Sequence, residues 1–301
     1  MADTWPLPTN DRLTITCHLR FSRAEQWGPL AVGQNVRVRK LLIGVVAAVT
    51  TLAVTVVGAD FGAAIYAEYR WSRSVRAANA LDFDPWVSIL GFPFTTQAMR
   101  HAYGEVELRA SGVPHPTVGK VSLEATMHDV DVMSGNWLVS PDSTLSVGEL
   151  ESRIIVDSTH VGRFMGVKDL LIEAPTDESN DPASITESGI SDPNGIVLTG
   201  TPRSAGLTER VSVSVDVSVS GPDKNTLVIT ATKVMMGPGT ADEEVPDDKR
   251  NAVLAAFTTS IPGLALPFGV APTSPGARGS DLIIEGITTG VTVELDGFRR
   301  S

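Results

Sequence analysis

Val211–Val219 reads Val-Ser-Val-Ser-Val-Asp-Val-Ser-Val, nine residues of unbroken alternation. Successive side chains of a β-strand turn to opposite faces. The stretch therefore predicts a strand with a buried valine face and a wet face carrying Ser212, Ser214, Asp216 and Ser218. Gly221-Pro222-Asp223-Lys224-Asn225 follows as a turn, and Leu227–Ala231 returns as an antiparallel neighbour.

The same period recurs outward from this pair. Val106, Leu108 and Ala110 alternate with Glu105, Glu107 and Arg109. Val121, Leu123, Ala125 and Met127 keep one phase, then Val130 and Val132 take the other, which predicts a bulge near His128. Ile154–Val156 and Leu170–Ile172 are shorter apolar pieces, and Asp192-Pro193-Asn194-Gly195 is a turn. Ile283–Ile287 and Val291–Leu295 predict a closing hairpin. One helix interrupts the series, from Pro246 to about Ser260, with Val253, Phe257 and Ile261 on one face and Pro262 as its stop. The acidic stretches Asp177–Asp181 and Asp242–Asp248 read as solvated loops. The class is α+β and rich in β-structure.

Ahead of the strands stands Leu41–Ala59, LLIGVVAAVTTLAVTVVGA, without a charged residue and with ten Leu, Ile or Val. As a helix it spans roughly 28 Å, close to the thickness of a hydrocarbon core. Arg37, Arg39 and Lys40 precede it and Asp60 follows, which orients the N-terminus inward and everything from Asp60 outward. Nineteen residues favour an uncleaved anchor over a signal peptide, although Val57-Gly58-Ala59 is a small-residue cleavage site. Residues 1–40 are then a cytoplasmic tail or extended n-region, 41–59 the transmembrane segment and 60–301 the exported domain. Residues 1–35 carry three prolines and no periodicity, the pattern of a disordered tail. Asp60–Ala80 continues as helix with Asp60 as its N-cap, Phe61, Ile65, Tyr69 and Val75 near one face, and Arg70, Arg73 and Arg76 on another.

Six of the 24 basic and three of the 35 acidic residues lie in 1–59, leaving 18 against 32 in the exported part. That acidic balance argues against nucleic acid as a partner. The single cysteine, Cys17, falls on the cytoplasmic side, so the exported domain holds together by burial without disulfides.

Signatures of catalysis are missing. His18, His101, His115, His128 and His160 make no pair at metal-ligand spacing, and neither H-E-x-x-H, G-x-S-x-G nor S-x-x-K occurs. Gly112 and Gly119-Lys120 are separated by six residues where a phosphate loop has four, and Val121 stands where Ser or Thr would hold magnesium. Neither a metal nor a cofactor is expected. What remains is an apolar surplus set among Gly and Pro, in Gly91-Phe92-Pro93-Phe94 and in Ile261-Pro262-Gly263-Leu264-Ala265-Leu266-Pro267-Phe268-Gly269. Glycine and proline fix the backbone there, presenting aromatics at set angles. Phe92, Phe94, Phe257, Leu264 and Phe268 are the candidates for lining a lipid cavity; core packing is the alternative for each.

The membrane run, Asp60–Ala64, Ala67–Arg70, Val87–Phe94 with Thr96-Gln97, Gly104, Ala110–Val113 and Leu266–Val270 together resemble the LmeA family of actinobacterial cell-envelope proteins. The likeness covers nearly all of residues 38–301, with the 35-residue N-terminal extension and the acidic insertions as departures. It implies an exported, non-enzymatic domain that binds phospholipid, with a long curved antiparallel sheet wrapped round a helix and an apolar groove or cavity. In mycobacterial members it is tied to mannan-lipid assembly, and it supplies no catalytic residue. The expected partners are phospholipid and, through residues 41–59, the plasma membrane, with the domain on the extracytoplasmic side. The runner-up is an envelope enzyme or accessory acting on lipid-linked glycans, with Asp129, Asp131, His128 and His160 as its first candidates. A third class is a scaffolding domain with a closed core.

Overall fold

The computed structural model describes residues 35–133, 137–174, 189–236 and 245–299. The expected tail with Cys17 and His18, the Asp177–Asp181 loop and the start of the Asp242–Asp248 loop lie outside them. The chain divides into two units, 1–55 and 56–301.

Helix α1, Asn35–Ala78, contains the whole apolar run. In the first unit its described side chains are exposed, and the helix is long and apolar enough to cross a membrane. Thr51 and Thr55 turn their hydroxyls back onto the carbonyls of Ala47 and Thr51 at 2.8 Å, so neither needs water.

In the second unit α1 buries Ala67, Trp71 and Val75, four residues apart and hence on one face. This corrects the expected face, because Phe61, Ile65 and Tyr69 are exposed. Trp71 carries the larger surface to bury and decides the orientation. Asn79 pins the end of α1: its Nδ2 donates to Val75 O and Leu295 O at 2.9 Å, and its Oδ1 accepts from Arg299 N at 2.7 Å.

Eleven strands form two antiparallel sheets among the described residues. The first sheet contains β1 (Trp86–Leu90), β2 (Ala102–His115), β3 (Gly119–Val132), β4 (Thr144–Asp157), β10 (Ser274–Arg278) and β11 (Asp281–Glu294), in the order β1-β2-β3-β4-β11-β10. The second runs β5 (Lys168–Glu173), β6 (Ile196–Thr201), β7 (Val211–Ser220), β8 (Thr226–Met235) and β9 (Thr259–Ile261) in chain order. Short helices α2 (Phe94–Arg100), α3 (Ser158–Met165) and α4 (Arg250–Ala256) stand at the connections. The core draws on α1 and both sheets, from Trp71 and Tyr103 to Leu150, Val213 and Phe257.

The phase change expected near His128 is present, but as a row across the sheet. Tyr103 pairs with Val130 and Glu105 with His128; His128 pairs with Glu149 and Val130 with Val147; Glu149 pairs with Thr289 and Val147 with Val291. Between these pairs stand Gly104, Asp129, Gly148 and Gly290, one on each strand. Buried positions on either side are three residues apart, Tyr103 to Val106, Met127 to Val130 and Val147 to Leu150. A bulge in one strand would have slipped its register. Here each strand changes face together and the pairing stays aligned. Asp129 at φ 51° and Gly290 at φ 63° take the left-handed backbone the crease needs. A Cβ on Gly148 would stand 2.9 Å from that of Asp129. The crease contributes to a curled sheet.

Two further expectations change for the same kind of reason. The predicted C-terminal hairpin is one strand, β11, because Gly290 belongs to the crease and not to a turn. The helix predicted to about Ser260 ends at Ala256, and Thr259–Ile261 is a strand because it pairs with Leu227–Ile229. In β7, Val211, Val213, Val215 and Val217 are buried as predicted. Ser212 is buried too, its hydroxyl 2.8 Å from that of Thr199, while Asp216 accepts from Gly195 N at 3.0 Å.

Candidate lipid-binding site

The motif Gly91–Phe94 joins β1 to α2 and sends its two aromatics opposite ways. Gly91 lies at φ 105°, and a Cβ there would meet the Gln97 amide at 2.8 Å. That amide donates to Leu90 O at 3.3 Å and its oxygen accepts from Gly104 N at 2.9 Å, tying the turn to both flanking strands. Phe92 is left 63 % exposed and stacks on Phe61 of α1 with centroids 6.0 Å apart. Phe94 is buried.

Asp60 locks this arrangement. It is buried within α1 and does not cap that helix; it caps α2 instead. Its carboxylate accepts from the Thr95 hydroxyl at 2.6 Å, Thr95 N at 2.8 Å and Phe94 N at 2.9 Å. The Thr95 hydroxyl, then the backbone N–H groups, hold this carboxyl below the usual aspartate value.

From Phe94 a line of rings runs inward and outward. Inward, Phe94 stacks on Tyr103 at 6.2 Å, and Tyr103 meets the edge of Trp71 at 5.5 Å. Outward, Phe94 meets Trp137 at 6.3 Å, and Trp137 meets Tyr66 at 6.4 Å. Each such contact adds about 0.5–1.5 kcal/mol beyond the area buried. The Tyr103 hydroxyl donates to Trp137 O at 2.7 Å, and burial pushes its pKa up to about 12. Phe61, Ile65, Tyr66, Phe92 and Met99 are exposed; Phe61 comes two residues after the apolar run ends, and Ile65 stands one turn further along α1. No motif in the sequence marks Tyr66, Tyr103 or Trp137. The aromatic content of the segment after the run was the available signal.

The second motif is built differently. Phe257 ends α4 and is buried; Leu264 is buried and donates its N–H to Asn225 O at 2.7 Å. Phe268, at φ 57°, is half-buried against Phe298 at 5.8 Å. Neighbouring residues Ala265, Leu266, Gly269 and Val270 line a cavity of about 310 Å³ together with the turn Asp223–Asn225. The two motifs are not brought together. Phe94 N binds Asp60 while Arg299 N, next to Phe298, binds Asn79. Nineteen residues of helix between these anchors are roughly 28 Å.

The candidates for the enzymatic reading also separate. His160 lies beside Gly119 and His128 nine residues further along β3, roughly 30 Å away. Asp129 and Asp131 are exposed. The sequence showed no metal-ligand spacing, yet cross-strand pairing gathers ligand atoms of His128, Glu149 and Glu151 within 4.8 Å of one another. Glu151 is already paired with Arg153.

A family model described as LmeA-like phospholipid-binding matches residues 58–287. No curated protein and no solved structure matches.

Proposed function

The chain belongs to the LmeA-like phospholipid-binding family, and from that premise we propose that residues 60–301 form a non-enzymatic domain that holds phospholipid outside the plasma membrane. The observation that carries this reading is the exposed stack of Phe61 on Phe92 with Ile65 one turn along α1, beside an exposed Tyr66 that packs on Trp137. A soluble surface seldom gathers such side chains without an apolar partner. An acyl chain laid there gains about 0.8 kcal/mol per CH₂ shielded from water, so a partly buried chain is held without charged recognition. Phe92 and Phe94 are the contact and its support; Leu264 and Phe268 flank residues that line the far cavity, and Phe257 is enclosed in the core. Residues 41–59 tether the domain, and its role is in envelope lipid or lipoglycan assembly. His160 stands beside Gly119, far along β3 from His128, Asp129 and Asp131, which argues against one reaction centre built from the four.

Photo-crosslinking tests the reading on the full chain. In vesicles carrying a phospholipid with a photoactivatable acyl chain, crosslinks are expected in the peptides holding Phe92–Met99 and Tyr66 as well as in the membrane run. Crosslinks confined to residues 41–59 would overturn it.

A further inference from the structure

A second cavity, of about 420 Å³, opens where β3, β4 and β11 end beside α3. It is within the ~300–1,000 Å³ range of small-ligand sites. Its charged lining is Lys120, Asp157, Arg163 and Asp281, with His160 among them. The topology explains the convergence. Asp281 is the direct cross-strand partner of Asp157, and α3 begins at the next residue, so His160 and Arg163 follow within two turns.

The lining is not self-satisfied. Two carboxylates face each other across a strand pair, an arrangement that destabilises unless a cation intervenes. Asp157 spends one oxygen on Thr159 N at 2.7 Å, capping α3. Asp281 Oδ1 is buried with no hydrogen-bond partner, and so is His160 Nδ1. Burial first, then the Asp157 charge, raise the Asp281 pKa, and Ser158 N–H, the Arg278 charge and the Ser280 hydroxyl offset only part of that; Arg278 is itself paired with Glu124. Lys120 and Arg163 are exposed and form no ion pair among the described residues.

A bare anion would satisfy the two cations and press on two carboxylates, and it would approach a unit that is acidic overall. A bare cation meets the reverse. A ligand bearing both charges uses all four groups. We propose that this cavity binds a zwitterionic phosphoethanolamine headgroup, its phosphate on Lys120 and Arg163 and its ammonium on Asp281 and Asp157. This deepens the phospholipid-binding reading and rests on it for the lipid-borne form of the ligand.

Calorimetric titration of the full chain in neutral detergent micelles tests it, using glycerophosphoethanolamine, glycerophosphoglycerol, inorganic phosphate and ethanolamine. Glycerophosphoethanolamine is expected to bind about tenfold or more tighter than each of the others, since charged hydrogen bonds are gained at both ends. Lys120→Gln with Arg163→Gln should weaken both glycerophospho compounds, and Asp281→Asn should erase the preference for ethanolamine over glycerol. Both sites tolerate change: the two cations are exposed, and the Asn removes a like-charge contact. Equal affinity for phosphate and glycerophosphoethanolamine, no measurable binding, or an unchanged preference in Asp281→Asn would overturn the proposal. Crosslinking yield from phosphatidylethanolamine vesicles, compared with phosphatidylglycerol vesicles, separates the lipid-borne headgroup from the free one. If titration fails while aromatic-surface crosslinks persist, only this pocket falls. If the crosslinks fail while titration succeeds, the acyl-chain reading falls and the headgroup site stands.

Discussion

Gly91–Phe94 and Ile261–Gly269 share a composition, aromatic or branched apolar residues held between Gly and Pro, yet one turns a ring to the surface and the other buries most of its own. The difference comes from what each motif adjoins. Gly91 follows the edge strand β1, and its positive φ, protected by Gln97, swings Phe92 away from the sheet. The second motif leaves β9 and runs over the inner side of β11, where Leu266 stands 2.7 Å from the place a Gly286 Cβ would occupy. Gly and Pro thus announce an irregular backbone, while the neighbouring element decides which way its side chains face.

The sharpest way to break this comparison is truncation at the buried motif. Phe257→Ala should cost about 3–5 kcal/mol, since the ring is fully enclosed, read by denaturant unfolding. A loss below 1 kcal/mol would show the site open. Overpacking sharpens the contrast. Leu264→Trp is expected to lose about 1–3 kcal/mol if the space is filled as described. A variant that gained stability would mean that unfilled room exists there.

Next comes the clamp at the exposed motif. The Asp60 carboxyl sits below its unfolded value, so the stability it contributes is fully present at neutral pH and is lost as pH falls below about 3.9, through the depressed folded value. Exchange protection of the Phe94 and Thr95 amides should therefore weaken on acidification, and Asp60→Asn should remove most of that pH dependence. Unaltered protection in the variant would take Asp60 out of the role of cap. The smallest effect on stability belongs to Phe92→Ala, expected within about 0.5 kcal/mol of the parent because the ring is mostly exposed. Its lipid crosslinking should nevertheless drop severalfold; equal crosslinking would detach the exposed motif from lipid.

Wherever one strand faces the core on one side only, alternation made it legible, as in β7, Glu105–Ala110 of β2 and Val121–Met127 of β3. Facing failed where a residue's partner is remote. Ser212 reads as wet until Thr199 is opposite it, and the apolar stripe Phe61-Ile65-Tyr69 reads as core until Trp71 claims the inside. Thr289-Gly290 looks like a turn because a crease and a turn require the same left-handed backbone. Composition marks the two irregular motifs, with Phe257 in the helix ahead of the second, but carries no distance between them. The charged cavity was invisible because Lys120, Asp157 and Asp281 come from three strands and meet only through register.

That register has a genetic side. At the row Gly104, Asp129, Gly148 and Gly290, each strand changes face in step with its neighbours. Deleting Asp129 alone would shift Val130 and Val132 against both flanking strands and turn their side chains to the opposite face. Coordinated loss along the whole row would keep the pairing and flatten the crease. An unmatched single-codon insertion or deletion at any one of these four positions thus carries a register cost that a change at all four avoids, like the stitches of one hem.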